Sequence, residues 1–468
     1  MSRIPWTKFQ DFYLRLGFLK VLVAALSPQR RSATNDEILR RLESPLFDPA
    51  RTHSKFWLRI GSRMSWYEDE PDDWTGKKKK HPTTAEALLV DGDCSSFLFA
   101  ITDKTTYKII DWARDVEFIG RANQITERGL LLRYLIPENV IDRFLGGNVE
   151  AWNPFLLSPS ERIFFLFHLI EIDDVMLELI EALGKLEDGR ILEAREAAQL
   201  TCAALITVLT KARSAVQPRD ILAFRTACEL AGTIAEELDM TDQAGELVGG
   251  PRRRTPKPLK PVARRSLSVS GQRLQPRRTT KNADHQTIPR FEQLVDLGFL
   301  EKPIDETGGE QAAFAGRRRW RYLPSATCRR WVAARAASEM QEGRFKWEAF
   351  ATTFLKTFTQ EAGRSTAAPS TVARYLWQAY ERIRRPAGPN PLDSIALYAM
   401  IEALTNGVAI EMADFHRLML RIKQRSALPD HAFFASGNDL DQMFIQLKPG
   451  FVQEVEKNEA ILSTVEQT

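Results

Sequence analysis

Apolar positions recur along this chain mostly at helical spacing, in blocks separated by charged or proline-bearing stretches. GFLKVLVAAL at 17–26 opens the series. Thr34, Asn35, Asp36 and Glu37 then stand ahead of ILRRL with the spacing of a capping box, where a hydroxyl and a carboxylate satisfy the first free N–H groups of a helix. TDKTTYKIIDWARDVEFIG at 102–120 places Tyr107, Ile110, Ala113, Val116 and Phe118 near the same period. In LLSPSERIFFLF, Ser158 is a cap, Pro159 suits the first turn and Glu161 closes a second box. With AAQLTCAALITVLTKA and the Pro218-initiated RDILAFRTACELAGTIAEEL, this predicts a helical bundle over 158–248. Further helices are predicted in IPRFEQLVDLGFL at 288–300, in 337–363, and from a capping Ser370 through STVARYLWQAYERIRR.

Strand signals are fewer. ALLVDG and SSFLFAIT near 87–102 fit strand or helix equally. QIT and LLLRY flank Glu127, Arg128 and Gly129 and read as a small hairpin, and FFASGNDLDQMFIQL reads as another around Gly437 and Asn438. In GRRRWRYLPSATCRRWV at 316–332, strand alternation places Arg317, Arg319 and Arg321 on one face. Arg318, Trp320 and Tyr322 fall on the other, so one face is cationic and the other can anchor on FEQLVDLGFL. Arg329, Arg330 and Arg335 belong to the following helix.

Helices followed by a small hairpin are the grammar of a winged helix. The stretch from 17 to 136, ending in VEFIGRAN and QITERGLLLRYL, resembles the winged helix-turn-helix superfamily. So does LVDLGFLEKP with RRRWRYL as its returning strand, and the helices and hairpin of 392–447 are compatible with a third unit. The resemblance implies a mainly α fold with multiple winged-helix-like modules, small β hairpins and a central helical bundle. The expected organisation is a winged-helix-like domain with a charged loop insertion over 1–150, an acidic helical bundle over 151–250, and a basic disordered linker over 251–287. A winged-helix-like module over 288–345 and a helical, winged-helix-compatible domain over 346–468 complete it.

Charge sharpens this division. The net charge of the 468 residues is +4, yet residues 1–250 carry 31 bases and 38 acids, 251–281 carry 11 bases and no acid, and 282–468 balance at 23 each. The middle stretch, with Arg252, Arg253, Arg254, Lys257, Lys260, Arg264, Arg265, Arg277 and Arg278 among its cations, is rich in proline and cannot bury enough apolar surface to fold alone. It reads as a solvated linker, as a nucleic-acid-binding arm whose phosphate contacts would confer salt-dependent affinity, or as a localisation signal. Block 151–250, with 8 bases against 17 acids, would repel phosphate and suits protein contact. EDEPDDWTGKKKK at 68–80 reads as an exposed loop, and Arg417, Arg421, Lys423 and Arg425 as a solvated helix face.

Candidate chemistry is sparse. Phosphate-loop, dinucleotide-binding and nucleophile-elbow motifs are absent from the sequence. Four cysteines without C-x-x-C spacing and six histidines without H-E-x-x-H argue against a disulfide framework or a local zinc site. His168 reads as a hydrogen-bonded core histidine. The longest apolar run, 163–170, is too short for a membrane span, and no cofactor or metal is expected. A cytoplasmic setting is expected.

The function these features predict is non-catalytic binding of DNA, double-stranded for preference. The chain would serve as one component of a prokaryotic multiprotein nucleoprotein assembly, such as an antiviral defence or DNA-processing system, with other protein subunits as partners. The expected DNA contacts are Arg317, Arg319, Arg321, Arg329 and Arg330 with the linker cations; because Glu292, Asp296, Asp305, Glu306 and Glu310 stand near the arginine strand in sequence, an intramolecular salt-bridge face or a protein-partner surface is the competing reading of that strand. A protein–protein adaptor without DNA binding is the alternative. A metal-dependent nuclease using Asp430, Asp439 or Asp441 is a third reading.

Overall fold

In a computed structural model of the chain, residues 16–29, 31–38, 41, 55–61, 96–145, 152, 156–243, 281–301, 321–336, 347–358, 367–384, 390–424, 432–435 and 443–463 are described. Helices dominate among them, as the periodicity predicts. The first, α1 (Gly17–Ala25), is buried on all sides, Lys20 included. An antiparallel pair, β1 (Lys55–Gly61) and β2 (Ser96–Thr102), settles SSFLFAIT as a strand and runs directly into α2 (Asp103–Asp115).

The hairpin expected around Gly129 is a helix instead, α3 (Glu127–Leu135), followed by α4 (Glu138–Leu145). Thr126 caps α3 by accepting the Gly129 N–H at 3.1 Å, and Glu127 lies where the helix dipole favours an acid. Gly129 is required there by closeness and not by a turn: a Cβ would stand 2.2 Å from the Phe118 carbonyl oxygen. The strand pair lies between α1 and α2, and QITERGLLLRYL runs into α3, so the wing expected over 17–136 is not formed by that segment.

The acidic block is mainly helical, in α5 (Pro159–Ile172), α6 (Asp174–Gly184), α7 (Ala194–Ala212) and α8 (Ile221–Glu237). The Ser158 box is formed: the Ser158 N–H donates to Glu161 Oε2 at 2.7 Å, and Glu161 N–H to Ser158 Oγ at 3.3 Å. The Thr34 box is formed as well. Beyond the basic stretch, α9 (Lys281–Asp296) starts earlier than the expected 287/288 boundary and runs through Pro289, so 281–287 are helical and not linker. Its apolar residues Phe291 and Leu294, with Leu297 just past its end, are completely buried, which offsets the backbone hydrogen bond Pro289 cannot make.

Two three-stranded antiparallel sheets share one plan. In the first, β3 (Leu192–Glu193) precedes α7, while β4 (Leu300–Glu301) and β5 (Arg321–Pro324) follow α9; the order is β3-β5-β4. Then come α10 (Ala326–Ala336), α11 (Trp347–Phe358) and α12 (Pro369–Ile383). In the second sheet, β6 (Asn390–Pro391) precedes α13 (Leu392–Thr405) and α14 (Met412–Gln424), then β7 (Ala432–Ala435) and β8 (Phe444–Leu447) close it in the order β6-β8-β7. In both, a two-residue strand stands just before a helix and the last strand takes the centre. The chain ends with α15 (Phe451–Lys457) and α16 (Glu459–Ser463). Ser370 does not cap α12; Ala368 holds that place, and the Ser370 hydroxyl donates to Glu459 on α16 at 2.6 Å.

The acidic bundle and the module after the linker were expected as separate domains, yet β3 of the former is the edge strand of the latter's sheet. Separate domains imply separate cores. Among the described residues, nearly all buried apolar side chains from Leu16 to Leu462 form one continuous cluster, with Ala24, Ile136 and Ile141 forming a small satellite.

Candidate nucleic-acid interface

The expected site lies on β5 and α10. β5 obeys the predicted alternation: Tyr322 is fully buried and Arg321 is partly exposed. Tyr322 packs on Phe291 with ring centroids 4.9 Å apart and donates its hydroxyl to the buried Glu292 at 2.8 Å. Burial and the adjacent Glu292 carboxylate hold the phenol well above its ordinary pKa. This is the anchoring on FEQLVDLGFL that the sequence predicts, carried by a hydrogen bond as well as by ring contact.

On the other face, Arg321 stands in register with Glu193 of β3, and its Nε lies 3.2 Å from Glu193 Oε1. Arg329 Nη2 lies 2.7 Å from Asp188 Oδ1, in the turn after α6. Arg335 is buried against Glu181, and desolvation lowers its pKa. Arg330 is exposed, with one long bond of 3.4 Å to Thr327 Oγ1. The structure thus brings Arg321, Arg329 and Arg330 together on one strand and the helix that follows, with acids of the preceding block against the first two. Arg317, Arg319 and the linker residues Arg252, Arg253, Arg254, Lys257, Lys260, Arg264, Arg265, Arg277 and Arg278 lie outside the described residues, as do Asp430, Asp439, Asp441 and Arg425.

The helices just before the two hairpins differ sharply. α9 is enclosed from Gln286 to Leu294, apart from Ile288, and the charged side chains of that stretch, Arg290 and Glu292, are spent internally. Arg290 makes two bonds to Asp173, and Glu292 accepts from Tyr322. α14 buries only one stripe, Phe415, Leu418, Met419 and Ile422, at spacings of three and four. It leaves Arg417, Lys423 and Gln424 exposed. Arg417 makes a surface pair with Asp414 at 3.2 Å, whereas Arg421 of the same cluster donates to the Leu462 carbonyl. His416 Nε2 is 2.7 Å from Asp393 Oδ1.

Other titratable groups serve the interior. His168 is buried between Phe164 and Phe118, with Nε2 2.9 Å from the Val116 carbonyl and Nδ1 3.0 Å from Arg128 Nη1. A carbonyl only accepts and a guanidinium only donates, so the ring is the neutral Nε2–H tautomer. Cys202 and Cys328 are buried thiols pushed up to about 11 and about 12, which removes them as nucleophiles. Among the described residues, no cluster of three or more His, Cys, Asp or Glu side chains has the arrangement of a metal site.

The buried charges were not anticipated. Lys20, paired with Glu161 at 2.9 Å, is the single cation in GFLKVLVAAL, and such a lone charge in an apolar run was the available signal. Arg290 carried no comparable signal, because RFEQLVD reads as an ordinary amphipathic surface. Among the described residues, no helix is long and apolar enough to cross a membrane. No protein-family model matches the chain, and no curated protein or solved structure shows significant similarity to it.

Proposed function

We propose that the chain is a non-catalytic DNA-binding component of a multiprotein assembly, built on two winged-helix-like units spanning about 174–324 and 369–447. The observation carrying this reading is the repeated element order: helix, short strand, helices, then a hairpin whose second strand is central. In the first unit, α8 and the basic stretch stand as insertions between α7 and α9. That order is the one a winged helix uses to present its third helix and wing to a duplex. In the second unit the third helix is α14, with Arg417 and Lys423 exposed. In the first unit the corresponding helix, α9, is enclosed, so contact there falls to the arginines of β5, α10 and the preceding segment.

The rival is a protein adaptor that binds no DNA. It is favoured by one observation: Arg321, Arg329 and Arg335 are already paired with acids of the same chain. Fold plan alone does not choose between them.

Fluorescence anisotropy on a labelled duplex across a salt series decides. Binding with a steep salt slope that flattens when 251–280 is deleted supports DNA binding with the basic stretch as an arm. Absence of binding at about 0.15 M salt, near physiological ionic strength, leaves the adaptor.

A further inference from the structure

We infer that Asp188 and Glu193 are built-in competitors for a phosphate backbone, so that the acidic block sets the DNA affinity of the β5–α10 arginines. This rests on the DNA-binding reading and adds its regulation. The exposures show which partner of each pair a ligand meets first. The Asp188 side chain is 82% exposed and Arg329 30%; Glu193 is 46% exposed and Arg321 28%. Each carboxylate is therefore more open to solvent than the guanidinium it covers. An arriving polyanion must displace the carboxylate to reach the cation.

The pairing is built by the fold. Strand register sets Glu193 directly opposite Arg321, and the turn after α6 delivers Asp188 to the first turns of α10. Arg329 commits Nη2 to Asp188, while its Nη1 has no hydrogen-bond partner among the described residues. Arg330 beside it is exposed. Deeper in the same seam, Arg335 and Glu181 form a closed pair that reads as structural. The outer two pairs are of the exposed kind that contributes little stability, so exchanging carboxylate for phosphate is energetically open.

The test is duplex anisotropy on full-length Asp188→Asn and Glu193→Gln, with melting followed by circular dichroism. Gln retains an acceptor for the cap that Glu193 places on α7. Asp239→Asn is the control: Asp239 belongs to the same block, is 84% exposed, pairs with Arg195 at 2.8 Å, and has a φ of 60° that Asn tolerates. The charge change is identical. Asp188→Asn and Glu193→Gln should each tighten DNA binding about two- to fivefold, the range that an exposed ion pair represents. Asp239→Asn should not, and Arg329→Ala should abolish the gain from Asp188→Asn. Gains no larger than the control's, or a gain from Asp188→Asn that survives Arg329→Ala, would overturn the competition while leaving DNA binding intact. If neither the intact chain nor any variant binds duplex at low salt, the DNA-binding reading itself falls, and this inference falls with it.

Discussion

Arg290 and Asp173 are held together by two bonds in the protein interior, Nε to Oδ2 at 2.6 Å and Nη2 to Oδ1 at 3.1 Å, across 117 residues of sequence. Both side chains are essentially inaccessible, and Arg290 Nη1 also donates to the Gln286 carbonyl at 3.0 Å. Removing one partner strands a buried charge, so Arg290→Ala or Asp173→Ala should each cost about 3–5 kcal/mol. Chemical denaturation measures this. Losses under 1 kcal/mol would mean that the pair is not enclosed as described.

The same pair implies that the halves of the chain do not depend on the basic stretch between them for association. α9 is held to the preceding block by this ion pair, by packing on α7, and by β5 lying beside β3. A protease site introduced near residue 265 should give two fragments, about 1–265 and 266–468, that co-elute after cleavage. Separation of the fragments on size exclusion would contradict the shared sheet and core.

Gly129 offers a test of α3. Ala in place of Gly inside a helix ordinarily gains about 1 kcal/mol. Here a Cβ would meet the Phe118 carbonyl at 2.2 Å and Ile125 Cγ1 at 2.8 Å, so overpacking should win and Gly129→Ala should lose about 1–3 kcal/mol. A stabilised variant would show that this close approach does not exist.

The Gly129 case also shows what sequence could and could not disclose. Local chemistry was readable: Ser158 with Glu161, Thr34 with Glu37, and the alternation of Arg321 and Tyr322 all depend on neighbours within a few residues. A glycine between QIT and LLLRY is compatible with a turn or a tight helix contact, and the deciding atom, the Phe118 carbonyl, belongs to another element. The enclosure of α9 was hidden for the same reason. Its partners Asp173 and Glu193's strand lie beyond a stretch that composition marks as a boundary. A salt-bridge face was legible as one reading of the arginine strand, but that Glu193 and Asp188 of the acidic block supply its acids was out of view.

Tyr322 supplies a pH dependence. Its pKa is raised in the fold, so the folded state keeps the phenolic proton after the unfolded chain begins to release it. Stability from this group is therefore complete below about pH 10, the unfolded value, and declines as pH rises above it. Tyr322→Phe should flatten that alkaline decline, while at neutral pH it costs about 1–3 kcal/mol by leaving buried Glu292 without this donor. Urea midpoints at pH 7 and pH 10.5 for both proteins measure it; parallel declines would rule out Tyr322 as the source.

The α14 surface separates a phosphate contact from a structural one within a single helix. Arg417 and Lys423 are exposed, so Arg417→Ala and Lys423→Ala should each reduce the salt slope of duplex binding by about 0.9, one phosphate's worth, with little change in melting temperature. Arg421 lies between them in sequence but ties α14 to the C-terminal helix through the Leu462 carbonyl. Arg421→Ala should therefore lower the melting temperature and leave the slope unchanged. The two observables move in opposite patterns, so a general loss of folding cannot imitate the result. If all three variants keep the parent slope while binding persists, the duplex is not on α14, and the arginines of β5 and α10 with the basic stretch must carry it alone.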